Sequence, residues 1–170
     1  MQKNRRSFLQ QLGLAGAGLL AGSSTALAKG HTQQEQPISR QEPMPFDGTL
    51  IRLGLIGAGG MGVEDTKTAL QHAGVTLTAV ADLYKGRLDA AKATWGNQLF
   101  TTTDYKALLN RPDVDAVIIG TPDHWHMPIS VDALKAGKHV YCEKPMLHKV
   151  SEGQALLEAW QKSGKVMVVG

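Results

Sequence analysis

The sequence lacks several features that would place it in a specialised class. Its 170 residues contain a single cysteine, Cys142, which excludes an internal disulfide and a zinc site made of cysteines alone. Aromatic residues make up only 5% of the chain, but 42% of the residues are hydrophobic, which is enough to bury a core. A chain of this length suits one domain of ordinary size.

An excess of positive charge is also missing beyond the first few residues. The chain carries 18 Lys and Arg against 15 Asp and Glu, and Lys3, Arg5 and Arg6 account for the difference. Residues 29–170 therefore hold equal numbers of basic and acidic side chains. We expect no nucleic-acid partner, because the basic isoelectric point does not reflect a basic surface on the folded part.

No apolar run reaches the length of a membrane span. The most apolar stretch, residues 12–22, is interrupted by glycines, whereas a spanning helix needs about 20 apolar residues. We therefore expect no stable membrane anchor.

Residues 1–28 have the order of an export signal. A basic start precedes an uncharged stretch, and Ala26 and Ala28 offer the small side chains that signal peptidase needs for a cut before Lys29. Residues 4–9, NRRSFL, resemble the twin-arginine signal, with an ordinary secretory signal as the alternative. We expect a periplasmic protein exported by the twin-arginine route.

Residues 29–49 are polar, contain prolines at positions 37, 43 and 45 and show no hydrophobic period. This composition predicts an extended arm or linker, with a disordered leader as the alternative. Since a proline-rich arm can wrap a neighbouring subunit, a homo-oligomer is one expectation.

From residue 50 onward, strand and helix patterns alternate. Short apolar runs predict strands at residues 50–56, 75–81, 115–119, 138–142 and 166–169. Helical patterns occupy residues 60–73, 85–95, 103–110, 127–136 and about 151–163. In the first helix, Met61, Ala69, Leu70 and Ala73 are expected on the buried side. Residues 50–170 thus predict one α/β domain, a doubly wound parallel sheet of the Rossmann type.

A glycine-rich loop lies between the first predicted strand and the first predicted helix. It fits the pattern G-x-G-x-x-G, in which the glycines permit a tight turn, close approach of a pyrophosphate, and close packing of helix on strand. The amides at the start of the helix would bind the phosphates. The predicted cofactor-binding residues are Gly57, Ala58, Gly59, Gly60, Met61 and Gly62.

An acidic residue follows the loop at the spacing that a dinucleotide site requires. Asp82 lies 20 residues after the last glycine, where its carboxylate can accept hydrogen bonds from an adenosine ribose. A 2′-phosphate would meet a like charge there, so we favour NAD over NADP, although Lys85 and Arg87 could pair with that phosphate. Glu64 and Asp65 would repel a pyrophosphate unless they point outward.

Two further segments carry a family resemblance. Residues 121–126 read TPDHWH, and residues 136–145 read AGKHVYCEKP. Together with the glycine loop they closely resemble the Gfo/Idh/MocA family over residues 50–170. The resemblance implies an NAD(P)-binding Rossmann domain of an oxidoreductase that acts on a sugar or polyol.

The resemblance also implies roles for individual residues. Thr121, Pro122 and His126 would lie near the nicotinamide, and Glu143 would hold the nicotinamide ribose. Lys144 would reach the active site as the catalytic residue. A lysine after a strand's carboxyl end also lies where open α/β sheets bind ligands, and its amine can favour proton loss from a hydroxyl as hydride leaves the same carbon.

A metal site and a nucleophilic cysteine are not expected. His124 and His126 have no third ligand at a suitable spacing, so no metal is expected. Cys142 falls in a predicted buried strand and is interpreted as core packing.

Members of this family normally continue into a second α/β domain that supplies substrate contacts. We therefore expect the chain to represent the dinucleotide-binding domain, as a fragment or a truncation, without full turnover by itself. Two alternatives stay open: a nucleotide-binding module without turnover, and a relative of the family's NAD-dependent glycosidases. Those glycosidases tend to lack the lysine that Lys144 supplies here.

Overall fold

The structure, a computed structural model, describes residues 48–170. The predicted signal segment and residues 29–47 of the predicted arm lie outside the described residues. The strands are β1 Ile51–Ile56, β2 Val75–Ala81, β3 Phe100–Thr102, β4 Ala116–Ile119, β5 His139–Cys142 and β6 Met167–Val169. The α-helices are α1 Gly60–Ala69, α2 Lys85–Trp95, α3 Tyr105–Leu109, α4 His126–Lys135 and α5 Gly153–Ser163. None of these helices is long and apolar enough to cross a membrane.

The strands form one sheet in the order β3-β2-β1-β4-β5-β6, and every neighbouring pair is parallel. The chain winds outward from β1 in one direction as far as β3 and then in the other direction from β4 to β6. This arrangement confirms the predicted doubly wound sheet. It also leaves a crevice beyond the carboxyl ends of β1 and β4, where such sheets bind ligands.

Alternating side chains of the strands build a core on each face of the sheet. On one face, the apolar residues of α3, α4 and α5 pack on inward-facing strand residues such as Ile119. On the other face, α1 and α2 pack around Leu55 and Val80. Gly54 of β1 faces Leu108 of α3, and a Cβ on Gly54 would lie 2.7 Å from the Cδ2 atom of Leu108. A glycine in the centre of β1 therefore lets α3 pack against the strand.

The prediction for the buried side of α1 was only partly right, since Ala69 packs against the core of this face but two other residues do not. Met61 is 57% exposed and Ala73 lies beyond the helix on the surface, whereas Gly62 and Thr66 are buried. At Gly62 the helix approaches the sheet so closely that no larger side chain fits. Short β3 was not predicted, since three half-buried residues at a sheet edge give no clear hydrophobic pattern.

Candidate functional site

The glycine loop turns sharply from β1 into α1 at the crevice between β1 and β4. Gly57 follows β1 with a φ of 89°, and a Cβ there would lie 2.7 Å from both the carbonyl carbon of Gly120 and the amide nitrogen of Thr121. The backbone conformation and the surrounding backbone both require glycine at this position.

Close packing of α1 on the sheet depends on two glycines that face each other. A Cβ on Gly62 would overlap the carbonyl oxygen of Gly57, and a Cβ on Gly120 would lie 2.6 Å from the Cα atom of Gly62. Gly120, directly after β4, was not among the predicted site residues. Its position immediately before the Thr-Pro segment was the signal that could have identified it.

The other loop glycines leave open space. A Cβ on Gly59 would meet only the guanidinium of Arg87, at 3.7 Å, and a Cβ on Gly60 would meet nothing within 4 Å. The protein itself therefore does not require glycine at either position. The amides of a first helical turn have no partners within the helix, so the space above Gly59 and Gly60 fits a pyrophosphate bound at the start of α1.

Asp82 follows β2 and fixes the shape of the glycine loop. Its Oδ2 accepts a hydrogen bond from the amide of Ala58 at 2.8 Å, and its Oδ1 accepts one from the amide of Tyr84 at 2.8 Å. The side chain is only 4% exposed. Asp82 thus directly follows the second strand, where the sequence placed it, and its first partners are backbone amides of the protein.

The two cations that follow Asp82 have different surroundings. Arg87 lies 3.3 Å from Asp82 Oδ2, is half exposed and stacks over the ring of Tyr84. Lys85 is paired instead with Asp89 at 2.7 Å on the outer surface of α2. Of these two cations, Arg87 alone faces the glycine loop.

The predicted nicotinamide-side residues follow β4 and β5, which are adjacent strands. Thr121 and Pro122 come after β4, and the Oγ1 atom of Thr121 is buried without a hydrogen-bond partner among the described residues. His126 begins α4, and both of its ring nitrogens contact backbone carbonyl oxygens. Lys144 follows β5 and is exposed.

Glu143 is buried beside two other titratable groups. The Tyr141 hydroxyl lies 3.4 Å from Glu143 Oε1, as a long hydrogen bond. Burial, followed by the negative charges of Glu143 and Glu64, raises the pKa of Asp65, whose Oδ2 has no partner among residues 48–170. Asp65 therefore points toward the sheet, while Glu64 pairs with Lys67 at 2.8 Å on the surface.

The turn between Pro122 and α4 carries a small polar cluster. The amide of His124 donates to Asp123, and this hydrogen bond lowers the pKa of Asp123. His148 lies 3.5 Å from the same carboxylate. Within the described part of the chain, no group of three or more His, Cys, Asp or Glu side chains is arranged to hold a metal ion.

Cys142 lies at the end of β5 and is fully buried. Burial raises the pKa of its thiol to about 11. A thiol that stays protonated and out of reach of solvent is unsuited to nucleophilic chemistry.

A parallel sheet of this order, with a G-x-G-x-x-G loop at the crevice and a carboxylate after β2, defines a dinucleotide-binding Rossmann domain. The chain belongs to the Gfo/Idh/MocA family, described as an oxidoreductase family with an NAD-binding Rossmann fold, whose model matches residues 51–170.

Curated relatives include proteins with a glycosidase name. The chain is 31% identical to glycosyl hydrolase family 109 protein 1 of Shewanella sp. (strain MR-4) and 30% identical to an alpha-N-acetylgalactosaminidase of Shewanella oneidensis. Each match covers 95% of this chain and 38% of the relative. The chain therefore spans well under half the length of these relatives.

Similar solved structures include dehydrogenases and reductases, some of them with a bound dinucleotide. The WlbA dehydrogenase of Chromobacterium violaceum, in complex with NADH and UDP-GlcNAcA, matches with a TM-score of 0.68 and 28% identity over 74% of this chain and 36% of that chain. The 3-ketoreductase KijD10 of Actinomadura kijaniata, in complex with TDP-benzene and NADP, matches with a TM-score of 0.66 and 27% identity over 72% of this chain and 37% of that chain. Myo-inositol 2-dehydrogenase of Lactobacillus plantarum matches with a TM-score of 0.67 and 27% identity over 72% of this chain and 36% of that chain.

Proposed function

We propose that the chain binds a nicotinamide dinucleotide as part of an oxidoreductase that acts on a hydroxyl group of a sugar or polyol. The observation that carries this proposal is the open cradle over Gly59 and Gly60, held in place by Asp82 at the crevice between β1 and β4. The solved structures with NADH or NADP support the cofactor class. The inositol dehydrogenase and the complex with UDP-GlcNAcA support a sugar or polyol as substrate.

The predicted residues divide the work along the dinucleotide. The first turn of α1 would bind the pyrophosphate, Asp82 would accept from the adenosine ribose, and Glu143 would accept from the nicotinamide ribose. When bound, the nicotinamide supplies the hydride acceptor. Lys144 Nζ, as the neutral amine, would accept a hydrogen bond from the substrate hydroxyl and take up its proton as hydride leaves the same carbon. Thr121 and Pro122, which follow β4 beside this crevice, would lie on the nicotinamide side.

The test of binding replaces the glycine that the protein itself does not require. Gly59→Val places a branched side chain in the pyrophosphate space, where its Cβ would meet only the Arg87 side chain at 3.7 Å. We expect dinucleotide affinity by calorimetry to fall at least tenfold with an unchanged circular dichroism spectrum. Gly86→Ala is the matched control, because a Cβ there meets nothing within 4 Å. Equal affinity of Gly59→Val and wild type would refute the loop assignment.

Turnover is tested separately, by absorbance of reduced dinucleotide at 340 nm with sugars and polyols. Reduction that disappears in Lys144→Met, while binding persists, supports the oxidoreductase. Binding without reduction is the result that we expect of this chain by itself, and reduction by a longer form of the protein would then separate the oxidoreductase from a nucleotide-binding module without turnover. Absence of binding contradicts both.

The family 109 names of the curated relatives favour a second candidate, an NAD-dependent glycosidase. Lys144 argues for the oxidoreductase, since the glycosidases of this family tend to lack that lysine. Release of p-nitrophenol from its α-N-acetylgalactosaminide would support the glycosidase, provided that the release depends on added NAD.

For the choice of dinucleotide, we propose NAD. The Asp82 carboxylate would repel a 2′-phosphate, and Arg87, the cation that could attract one, is already paired with Asp82 at 3.3 Å. Wild type should bind NAD more tightly than NADP, and Asp82→Asn should narrow the difference. Arg87→Ala should widen it, because the remaining charge at the ribose is negative. Tighter binding of NADP by wild type, with no change in Asp82→Asn, would place the ribose elsewhere.

We also propose periplasmic export through the twin-arginine route, on the strength of Arg5 and Arg6 before a weakly apolar stretch. Replacing both arginines with lysine should leave the protein in the cytoplasm after cell fractionation. Unchanged arrival of the mature protein in the periplasm would favour the ordinary secretory signal.

A further inference from the structure

One imidazole connects the two loops that carry the predicted nicotinamide-side residues. His126 is the first residue of α4 and is only 2% exposed. Its Nε2 lies 2.8 Å from the carbonyl oxygen of Thr121, in the loop after β4. Its Nδ1 lies 2.8 Å from the carbonyl oxygen of Pro145, in the turn after β5. The ring therefore bridges the ends of two adjacent strands.

The His126 ring lies just beyond the point where the backbone hydrogen bonds between β4 and β5 end. The pairing of β4 with β5 ends at Ile119 and Cys142, and the amide of Glu143 then donates to the carbonyl oxygen of Ile119 at 3.0 Å. Past that bond the two segments leave the sheet, and the ring of His126 is placed between them. The segment that His126 holds is the one that carries Glu143 and Lys144.

Both contacts of the ring are to acceptors. A neutral imidazole has one N–H and donates to one of the two carbonyl oxygens, whereas an imidazolium donates to both. In either form both ring nitrogens already face backbone oxygens, and the ring is buried. His126 is thus placed to act on the site through the backbone of its neighbours.

We propose that His126 is a positioning residue that holds the loop of Thr121 and the turn of Glu143 and Lys144 at a fixed separation, and so sets the affinity for the nicotinamide half of the dinucleotide. This inference rests on the proposed function for its effect on affinity. The bridge itself depends only on the two contacts of the His126 ring. A ligand that spans both loops gains affinity when they are already in place, because less ordering remains to be done on binding.

Two variants of the whole chain separate the bridge from simple core packing. His126→Phe keeps a ring of similar size without its nitrogens, and His126→Gln keeps an N–H donor. His124→Gln is the matched control, since His124 is exposed and lies in the same turn. Should the Phe variant fail to fold, the Gln variant still tests the proposal.

The first measurement is hydrogen exchange in the absence of ligand. We expect amides of residues 143–150 to exchange at least fivefold faster in both His126 variants, with the larger change in His126→Phe. Peptides of β1 and β2 should exchange as in wild type. Unchanged exchange at residues 143–150 would overturn the bridge, and a uniform increase across the sheet would make His126 a packing residue only.

The second measurement compares NAD with ADP, which lacks the nicotinamide riboside. His126→Gln should weaken NAD binding about tenfold, as expected for loss of buried hydrogen bonds, and should change ADP binding less than twofold. Equal weakening of both ligands, or of neither, would refute the positioning role. If wild type binds neither ligand, the proposed function has failed, and the exchange experiment still decides whether the bridge exists.

Discussion

Replacing Gly62 with alanine should destabilise the domain strongly, because the backbone of α1 nearly touches the sheet there. An added Cβ would overlap the carbonyl oxygen of Gly57 and lie 3.0 Å from Leu55 Cδ1 and 3.5 Å from the Cα atom of Gly120. Two of these three neighbours are backbone atoms, which cannot change rotamer to make room. The helix itself would have to move away from β1 and β4.

The magnitude follows from two opposing effects. Overpacking a tight contact costs about 1–3 kcal/mol, and the upper end applies because backbone must shift. Alanine in place of glycine within a helix stabilises the helix by up to about 1 kcal/mol, because alanine has the higher helix propensity. The net loss is about 2 kcal/mol, which corresponds to a melting temperature lower by roughly 4–16 °C for domains of this size range.

The assay is urea unfolding followed by circular dichroism, with Gly86→Ala in α2 as the control. A Cβ on Gly86 meets nothing within 4 Å, so that variant should be as stable as wild type or slightly more stable. Gly120→Ala should be destabilised like Gly62→Ala. In the double variant, the loss of unfolding free energy should be smaller than the sum of the losses in the two single variants. The two substitutions strain the same contact, so a shift that relieves one also relieves the other. If Gly62→Ala unfolds within about 0.5 kcal/mol of wild type, α1 does not approach β4 as closely as described.

Three further predictions concern titratable groups. Three hydrogen bonds from Arg52, two of them from its side chain, hold Asp115, and they lower the pKa of Asp115 to about 2; Asp115→Asn should therefore melt earlier than wild type at pH 7, with the difference shrinking as the pH falls from about 4 toward 2. Burial and neighbouring carboxylates raise the pKa of Asp65; a raised acid pKa means stability lost as the pH rises, so Asp65→Asn should melt later than wild type at pH 7 and alike at pH 3. Burial raises the pKa of Cys142 to about 11; Ellman's reagent at pH 8 should label it only after unfolding, and rapid labelling of the native protein would contradict its buried position.

Local patterns were sufficient to predict most of the fold. The bounds of β2 and α2 agree with the sequence prediction to the residue, because Gly74 and Gly96 interrupt the pattern near the ends of these elements and the patterns inside are unambiguous. The buried face of α1 was predicted only in part, since apolar residues such as Met61 were expected to face the sheet. Close approach of backbones makes the small residues Gly62 and Thr66 the contacting ones.

In the candidate site, positions along the chain were predictable but partners were not. The sequence placed Asp82 directly after the second strand, as the structure confirms, but its hydrogen bond with the amide of Ala58, 24 positions away, was not predicted. The contact of His126 with Pro145 spans 19 positions. Such contacts depend on which strands become neighbours. For the same reason the sequence analysis offered both Lys85 and Arg87 as partners of a 2′-phosphate, whereas of these two only Arg87 faces the glycine loop.

The contacts in the crevice together form a cradle that is held by the protein's own side chains and backbone. Asp82 bonds the glycine loop to the end of β2, and His126 connects the loops after β4 and β5. Gly62 and Gly120 allow α1 to pack closely on β4. Each link lies at the carboxyl edge of the sheet, along the path that we propose for an extended dinucleotide. Because these contacts form when the protein folds, the loops lose less conformational freedom when a ligand binds. It follows that substitutions at these links weaken binding by loosening the free protein, even where the side chain never touches the ligand.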